Sequence, residues 1–183
     1  MWGRAVTIAP ADRPIILHLA RTAVVAAVHG RSAPPVPDYR VFGIRAGAFV
    51  TLTTAGDLRG CIGRAEPRDA LGTVIVECAE AAALQDPRFH PVAPHELELL
   101  AIEVSILTPP VRVEDPASIE PGRHGLIVAR DGRRGLLLPQ VAAEWGWTRE
   151  TFLAQTCRKA GLPLDAWHTG ADIFAFEAEI LSE

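Results

Sequence analysis

Apolar residues recur at helical spacing in three segments of the chain. The pattern predicts a first helix over residues 12–30, closed by Gly30. A second helix is predicted over residues 68–84, where apolar side chains follow one another in steps of three and four. A third helix opens at Thr148 and closes at Gly161, because threonine is a favoured N-cap and glycine a favoured C-terminal stop.

Alternation of apolar and polar residues predicts the strands. They are expected at residues 39–44, 47–54, 96–107, 124–129, 135–138 and 173–180. The fourth and fifth form a hairpin around Asp131-Gly132, through either a tight turn or a loop of three to five residues. Helices and strands mix without a strict β-α-β alternation, so the predicted class is α+β, with one mixed β-sheet flanked by helices.

Composition and charge narrow the class of protein. The chain has 183 residues, 49% hydrophobic and 22% charged, which is typical of a soluble globular protein. A net charge of −4 argues against nucleic acid and anionic membranes as partners. No apolar run approaches the ~20 residues of a membrane span, and residues 15–28 make a poor signal peptide. A cytoplasmic location is therefore expected.

Cysteine usage indicates reduced thiols. Cys61, Cys78 and Cys157 are widely spaced and form neither a disulfide framework nor a CxxC pair. Cys78 and Cys157 lie on apolar helix faces and are predicted to be core residues. The sequence also lacks a phosphate-binding glycine loop, a dinucleotide fingerprint and a zinc-protease motif, so no cofactor and no metal are predicted.

Residues 58–63, with the sequence LRGCIG, form the segment most suggestive of chemistry. The Arg59 charge can stabilise a thiolate at Cys61, the reactive form of cysteine. Gly60 and Gly63 allow positive φ or close backbone approach, and could form an anion-binding nest. Three interpretations stay open: a catalytic cysteine, a non-catalytic binding site, or a small buried cysteine in a tight turn with Arg59 in a structural ion pair.

A nucleophilic cysteine also needs a group that accepts its proton. Arg59 cannot act as that base near neutral pH. A histidine is the expected partner, and the loop-placed candidates are His124, His90 and His168. His124 precedes a predicted strand, where functional side chains often gather, although a loop histidine can equally be a plain surface residue.

Three further residues are candidates for ligand contact. Arg88 follows Asp86-Pro87 and either belongs to a structured corner, in which Asp86 caps backbone donors, or binds a carboxylate or phosphate. Glu103 lies in an otherwise apolar strand, either on the solvent face or in a salt bridge with Arg59 or Arg88 inside a cleft. Gln140 can offer a donor and an acceptor, but turn chemistry explains it equally well.

Together these segments resemble the AMMECR domain family, whose bacterial and archaeal members belong to the AmmeMemoRadiSam system. The hallmark is the LRGCIG segment, which matches in full. The other matching stretches, in order, are residues 47–52, 86–89, 102–105, 124–126, 135–142 and 159–162. The resemblance covers about residues 13–180 and implies one AMMECR-type domain over residues 1–183.

The resemblance implies an α+β fold with a larger and a smaller lobe, and a hallmark segment near the cleft between them. It also implies association with a Memo-type protein and a radical S-adenosylmethionine protein. It names no settled activity, so enzyme and binding protein stay open, and the ligand, a small molecule or peptide, is unknown.

The leading hypothesis is a cytosolic component of that system with a site in the cleft. Its expected catalytic residues are Cys61 and His124, and its expected substrate-binding residues are Arg59, Gly60, Gly63, Arg88, Glu103 and Gln140. The alternative hypothesis is a non-catalytic binding or scaffold protein that presents a partner or substrate.

Overall fold

The computed structural model describes residues 8–183. They divide into two compact units: a larger unit of residues 8–107 with Glu179–Glu183, and a smaller unit formed by Thr108–Ala178. Both units combine helices with an antiparallel sheet, so the predicted α+β class is confirmed.

The helices are α1 (Arg13–Val28), α2 (Leu71–Leu84), α3 (Pro139–Glu144) and α4 (Arg149–Lys159). Short 3-10 helices lie at Arg40–Gly43, Pro94–Glu96 and Pro116–Ser118. The strands are β1 (Gly47–Thr54), β2 (Asp57–Arg64), β3 (Leu100–Leu107), β4 (Val111–Arg112), β5 (Gly125–Arg130), β6 (Arg133–Leu137), β7 (Asp172–Phe176) and β8 (Ala178–Ser182). No helix within residues 8–183 is both long enough and apolar enough to span a bilayer.

The larger unit contains a four-stranded sheet in the order β2-β1-β3-β8. Alternate side chains of β1 and β3, such as Val50 and Val104, are fully buried and join residues of α1 and α2 in one hydrophobic cluster. The intervening positions, Thr51 among them, are less buried. Period-two alternation thus separates a core face from a face on which polar chemistry can be placed.

The smaller unit contains the second sheet, in the order β4-β7-β5-β6. Its core includes Leu126 and Phe152, both fully buried. Asp131 and Gly132 have φ values of 51° and 77°, so the β5–β6 hairpin uses the tight two-residue turn. The hydroxyl of Thr148 accepts a hydrogen bond from the backbone N–H of Thr151, which confirms the predicted start of α4.

Several sequence-based predictions differ from the structure. The strands form two antiparallel sheets rather than one mixed sheet, because the closing segment at 173–180 is divided: β7 pairs in the smaller unit, and β8 joins the larger unit's sheet. Residues 39–44 contain a 3-10 helix instead of a strand. The strand predicted at 96–107 starts at Leu100, because Pro94–Glu96 forms a 3-10 turn.

Candidate functional site

The LRGCIG segment lies in β2, an edge strand of the larger unit's sheet. Cys61 is paired with Thr51 of β1, and Thr51 is paired with Glu103 of β3. The Thr51 hydroxyl donates to the Cys61 Sγ at 3.3 Å, and the Ser182 hydroxyl of β8 donates to Glu103 at 3.4 Å. These four side chains, one from each strand, make a polar row across the sheet, which we call the Cys61 row.

The two glycines of the segment serve close packing. Neither Gly60 nor Gly63 has a positive φ, so the left-handed backbone that an anion-binding nest requires is not formed at them. A Cβ on Gly60 would lie 2.2 Å from the carbonyl oxygen of Ala82 in α2, and one on Gly63 would lie 2.2 Å from the Phe49 ring. The nest interpretation is therefore wrong, and close approach is the reason for glycine at both positions.

Arg59 lies at a bulge in β2. Gly60 pairs with Leu52 and Leu58 with Thr53, which leaves Arg59 as the extra residue. Its guanidinium donates to both carboxylate oxygens of Glu96, at 2.8 and 3.0 Å, and its Nη1 donates to the His90 carbonyl at 2.9 Å.

This bidentate pair fixes the charge state of both partners. The hydrogen bonds from Arg59 lower the pKa of Glu96 to about 2, and Glu96 in turn raises the pKa of Arg59. Because the Arg59 guanidinium is satisfied by Glu96 and by backbone carbonyls, it fixes the bulge to the segment around Glu96. The predicted ion pair of Arg59 is confirmed, with Glu96 as the carboxylate.

The Asp86–Arg88 corner holds the backbone of Cys61. The carboxylate of Asp86 is buried and accepts the Cys61 N–H at 2.8 Å and the Arg88 N–H at 3.1 Å. The Arg88 guanidinium donates to the same carboxylate at 2.7 and 2.9 Å and reaches the Cys61 carbonyl at 3.4 Å. Arg88 holds the pKa of Asp86 far below its usual range. The predicted capping role of Asp86 is therefore confirmed.

A surface pocket of about 480 Å³ opens beside this corner. We call it the arginine pocket; it is lined by Arg59, Pro87, Arg88, Phe89 and His90. The Arg88 guanidinium lies 5.4 Å from the centre of the Phe89 ring, and its side chain is 52% exposed. Both arginines are paired with carboxylates, so the pocket offers fixed N–H donors and an aromatic face rather than a net positive field.

The Cys61 side chain is partly buried. Burial is the largest influence on its pKa and raises it, whereas the Thr51 hydroxyl and the charge of Arg88 act in the opposite direction. The protonated thiol is thus the form at neutral pH. Arg88, rather than the predicted Arg59, is the cation whose charge lowers the pKa of Cys61.

The other two cysteines are buried, as predicted. Burial raises the pKa of Cys78 to about 11, and burial also raises the pKa of Cys157. Neither thiol is a candidate for reaction in the folded protein.

Glu103 and Gln140 are two further residues predicted to contact a ligand. The sequence suggested a salt bridge from Glu103 to Arg59 or Arg88. In the structure Arg59 pairs with Glu96 and Arg88 pairs with Asp86 instead. Glu103 is half-buried in the Cys61 row. Gln140 lies in the first turn of α3, where Pro139 opens a short helix.

His124 belongs to the smaller unit and is fully buried. Its Nδ1 accepts the Glu120 N–H at 3.0 Å, and its Nε2 lies 3.9 Å from the Glu177 carboxylate. Burial lowers the pKa of His124, which favours the neutral imidazole that a base requires. Its pairing with Cys61 stays a prediction.

Sequence reasoning missed Thr51 and Glu96. Thr51 had a usable signal, because Phe49, Thr51 and Thr53 alternate with buried residues along β1. Glu96 had no such signal in the sequence, because its partner Arg59 lies 37 positions away in the chain. The structure thus defines an α+β protein in which a helix-ending corner and a bulged edge strand build one donor-rich pocket.

Comparison with known proteins identifies the family. A family model described as AMMECR1 matches residues 17–181, so the chain belongs to the AMMECR1 family. A protein of Methanothermobacter thermautotrophicus is 47% identical over 177 residues, covering 92% of each chain. A protein of Methanosarcina acetivorans is 48% identical over 159 residues, covering 84% of this chain and 77% of its own.

A solved structure has the same fold. The crystal structure of the uncharacterized protein PH0010 from Pyrococcus horikoshii superposes with a TM-score of 0.90 at 39% identity. The match covers 94% of this chain and 92% of that one.

Proposed function

We propose that this chain, as one AMMECR-type domain in the cytosol, is a non-catalytic binding component of a system with a Memo-type protein and a radical S-adenosylmethionine protein. The identity of these partners rests on the family resemblance. The observation that carries the binding role is the locked Asp86–Arg88 corner, which fixes Cys61 and holds the guanidinium of Arg88 at a pocket.

Preorganisation supports binding. The Asp86 carboxylate holds Arg88 in one orientation, and the Nη1 atom of Arg88 makes no hydrogen bond to any of residues 8–183. A donor that is already immobile loses little conformational entropy when a ligand arrives. The arginine pocket therefore suits a neutral acceptor group, such as a carbonyl of a peptide or small molecule, next to an apolar contact with Phe89.

A covalent role for Cys61 is the second candidate. Its support is local: the Thr51 hydroxyl and the Arg88 charge would both stabilise a thiolate once the proton leaves. The predicted base, His124, and the predicted substrate contacts Glu103 and Gln140 belong to this candidate. Partial burial raises the pKa of the Cys61 thiol, which makes this candidate the weaker one.

Association with the Memo-type protein of the same genome distinguishes the two roles. His90→Ala removes an exposed side chain of the arginine pocket, and His95→Ala is a matched control at another exposed position. We expect His90→Ala to weaken association at least about threefold. His95→Ala and Cys61→Ser should bind like the parent. Lack of association of the parent protein under every condition would contradict the binding role.

The thiol is tested by alkylation against pH in a Cys78→Ala/Cys157→Ala background. Because burial raises the pKa of Cys61, we expect alkylation to titrate above the ~8.5 of a free cysteine. A midpoint well below that value would favour the covalent role instead. Thr51→Val removes the hydroxyl that stabilises the thiolate and should move the midpoint further up.

A further inference from the structure

A second pocket with cationic and aromatic walls lies in the smaller unit. It has a volume of about 370 Å³ and is lined by Leu137, Trp147, Gln155, Arg158 and Lys159. We call it the tryptophan pocket. Its size is within the range of pockets that hold small molecules, which starts at about 300 Å³. None of its lining residues belongs to the Cys61 row.

The indole of Trp147 is held in place by two aromatic neighbours. Trp145 stacks on it with ring centres 6.2 Å apart and an interplanar angle of 21°, and Phe152 of the core lies 6.5 Å away. Trp145 is itself 71% exposed. A large apolar ring left in water is unfavourable unless something covers it, and a rigid aromatic pair offers a flat stacking surface.

Two cations border the same pocket. Arg158 and Lys159 are exposed, and neither side chain forms an ion pair or hydrogen bond within residues 8–183. Both occupy the last turn of α4, where they also complement the helix dipole. That dipole amounts to about half an elementary charge, whereas the two side chains supply two full charges, so a positive field remains for an anion.

The tryptophan pocket is also lined by an amide side chain, that of Gln155. Gln155 lies one turn before Arg158 and Lys159, at the spacings of three and four residues that share a helix face. Its side chain carries both donors and an acceptor, which suits the mixed hydrogen-bonding edge of a nucleobase. A flat stacking surface, an amide and two cations thus lie around one cavity.

We propose that the tryptophan pocket binds a mononucleotide, with the base stacked on Trp147 and the phosphate at Arg158 and Lys159. A single nucleotide unit fits the pocket volume. Among residues 8–183 two cations line the pocket, and the chain has a net charge of −4, which favours a short ligand over a polyanion. The Gln155 amide contacts the edge of the base.

Equilibrium dialysis and tryptophan fluorescence test this proposal, with AMP, GMP, CMP and UMP as probes and the matching nucleosides as phosphate-free controls. We expect at least one nucleotide to bind and to quench fluorescence, and its nucleoside to bind about tenfold more weakly. The double variant Arg158→Gln/Lys159→Gln should bind the nucleotide as weakly as the parent protein binds the nucleoside. Arg31→Gln/Arg40→Gln, which removes two exposed cations from the larger unit, should bind like the parent.

Three results would overturn the proposal. The first is absence of binding by all four nucleotides at millimolar concentration. The second is equal binding by the double-glutamine variant and its control. The third is binding of a short single-stranded oligonucleotide without binding of any mononucleotide. Because Arg158 and Lys159 are exposed, their replacement should leave the fold intact, which circular dichroism checks.

Discussion

The arginine pocket and the tryptophan pocket are each lined by two permanently charged cations and an aromatic ring, but they hold these cations differently. In the arginine pocket, Arg59 and Arg88 are paired with Glu96 and Asp86. In the tryptophan pocket, the cations of α4 have no such partner within residues 8–183. Paired arginines build structure and present a few fixed donors, whereas unpaired cations leave their charge for a ligand. The difference shows that arginines lining a pocket do not by themselves make it an anion site.

The largest expected effect comes from Gly60, which lets β2 pack against α2. Gly60→Ala places a Cβ 2.2 Å from the Ala82 carbonyl oxygen, so the strand or the helix must move. We expect unfolding free energy to fall by about 3 kcal/mol, because backbone atoms cannot relax as a side chain can. Chemical denaturation measures the change.

Gly43→Ala is the matched control, since a Cβ there meets no atom within 4 Å. It should alter the unfolding free energy by less than about 0.5 kcal/mol. Equal stability of the two variants would mean that β2 does not need close contact with α2, and the arginine pocket would lose its rigid frame.

Removing one cation from each pocket tests the comparison directly. Arg88→Gln leaves the buried Asp86 carboxylate without its countercharge, and we expect a loss of about 2 kcal/mol in unfolding free energy. That is below the cost of breaking a fully buried pair, because the Arg88 side chain is half exposed. Arg158→Gln should change stability by less than about 0.5 kcal/mol. If Arg88→Gln and Arg158→Gln lowered the unfolding free energy by similar amounts, the two pockets would not differ in how they hold their cations.

The smallest effect is a pH dependence at Glu96. The folded pKa is about 2, below the ordinary value of 4.5, so the carboxylate stabilises the fold fully above pH 4.5. That contribution is lost as the pH falls toward about 2. Glu96→Gln should therefore lower stability at pH 7 by on the order of 1 kcal/mol and match the parent near pH 2.

Urea unfolding at a series of pH values measures this dependence. Glu98→Gln, at a neighbouring exposed carboxylate, serves as the control and should follow the parent throughout. If the unfolding free energies of Glu96→Gln and the parent differed by the same amount from pH 7 to pH 2, the Arg59–Glu96 pair would not govern the loss of stability in acid.

The sequence predicted local structure where local chemistry decides it. Thr148 and Gly161 bracket α4 because caps act on adjacent backbone, and Asp131-Gly132 makes the tight turn because both residues tolerate positive φ. Asp86 was a predicted cap for the same reason. These predictions needed only neighbours in the chain.

The sequence could not supply partners that are distant in the chain. Nothing near Gly60 in the sequence indicates that Ala82 lies against it, so the sequence leaves both close approach and a nest open there. For Arg59 the sequence leaves open both a contact with Cys61 and a structural ion pair, but it does not indicate that Glu96 is the partner. Apolar and mixed residues alternate without a break over residues 173–180. The segment is nevertheless divided between two sheets, because β7 and β8 pair with different strands.

The corner at Asp86 also bears on self-association. β2 is an edge strand, and an edge normally presents unpaired N–H and C=O groups to which a strand of another molecule can add. The Cys61 N–H donates to the Asp86 carboxylate, and the Cys61 carbonyl accepts from Arg88. These two side chains therefore make the hydrogen bonds that a neighbouring strand would otherwise make. The corner that shapes the pocket therefore also blocks strand addition at the middle of β2, which protects this edge against intermolecular sheet growth.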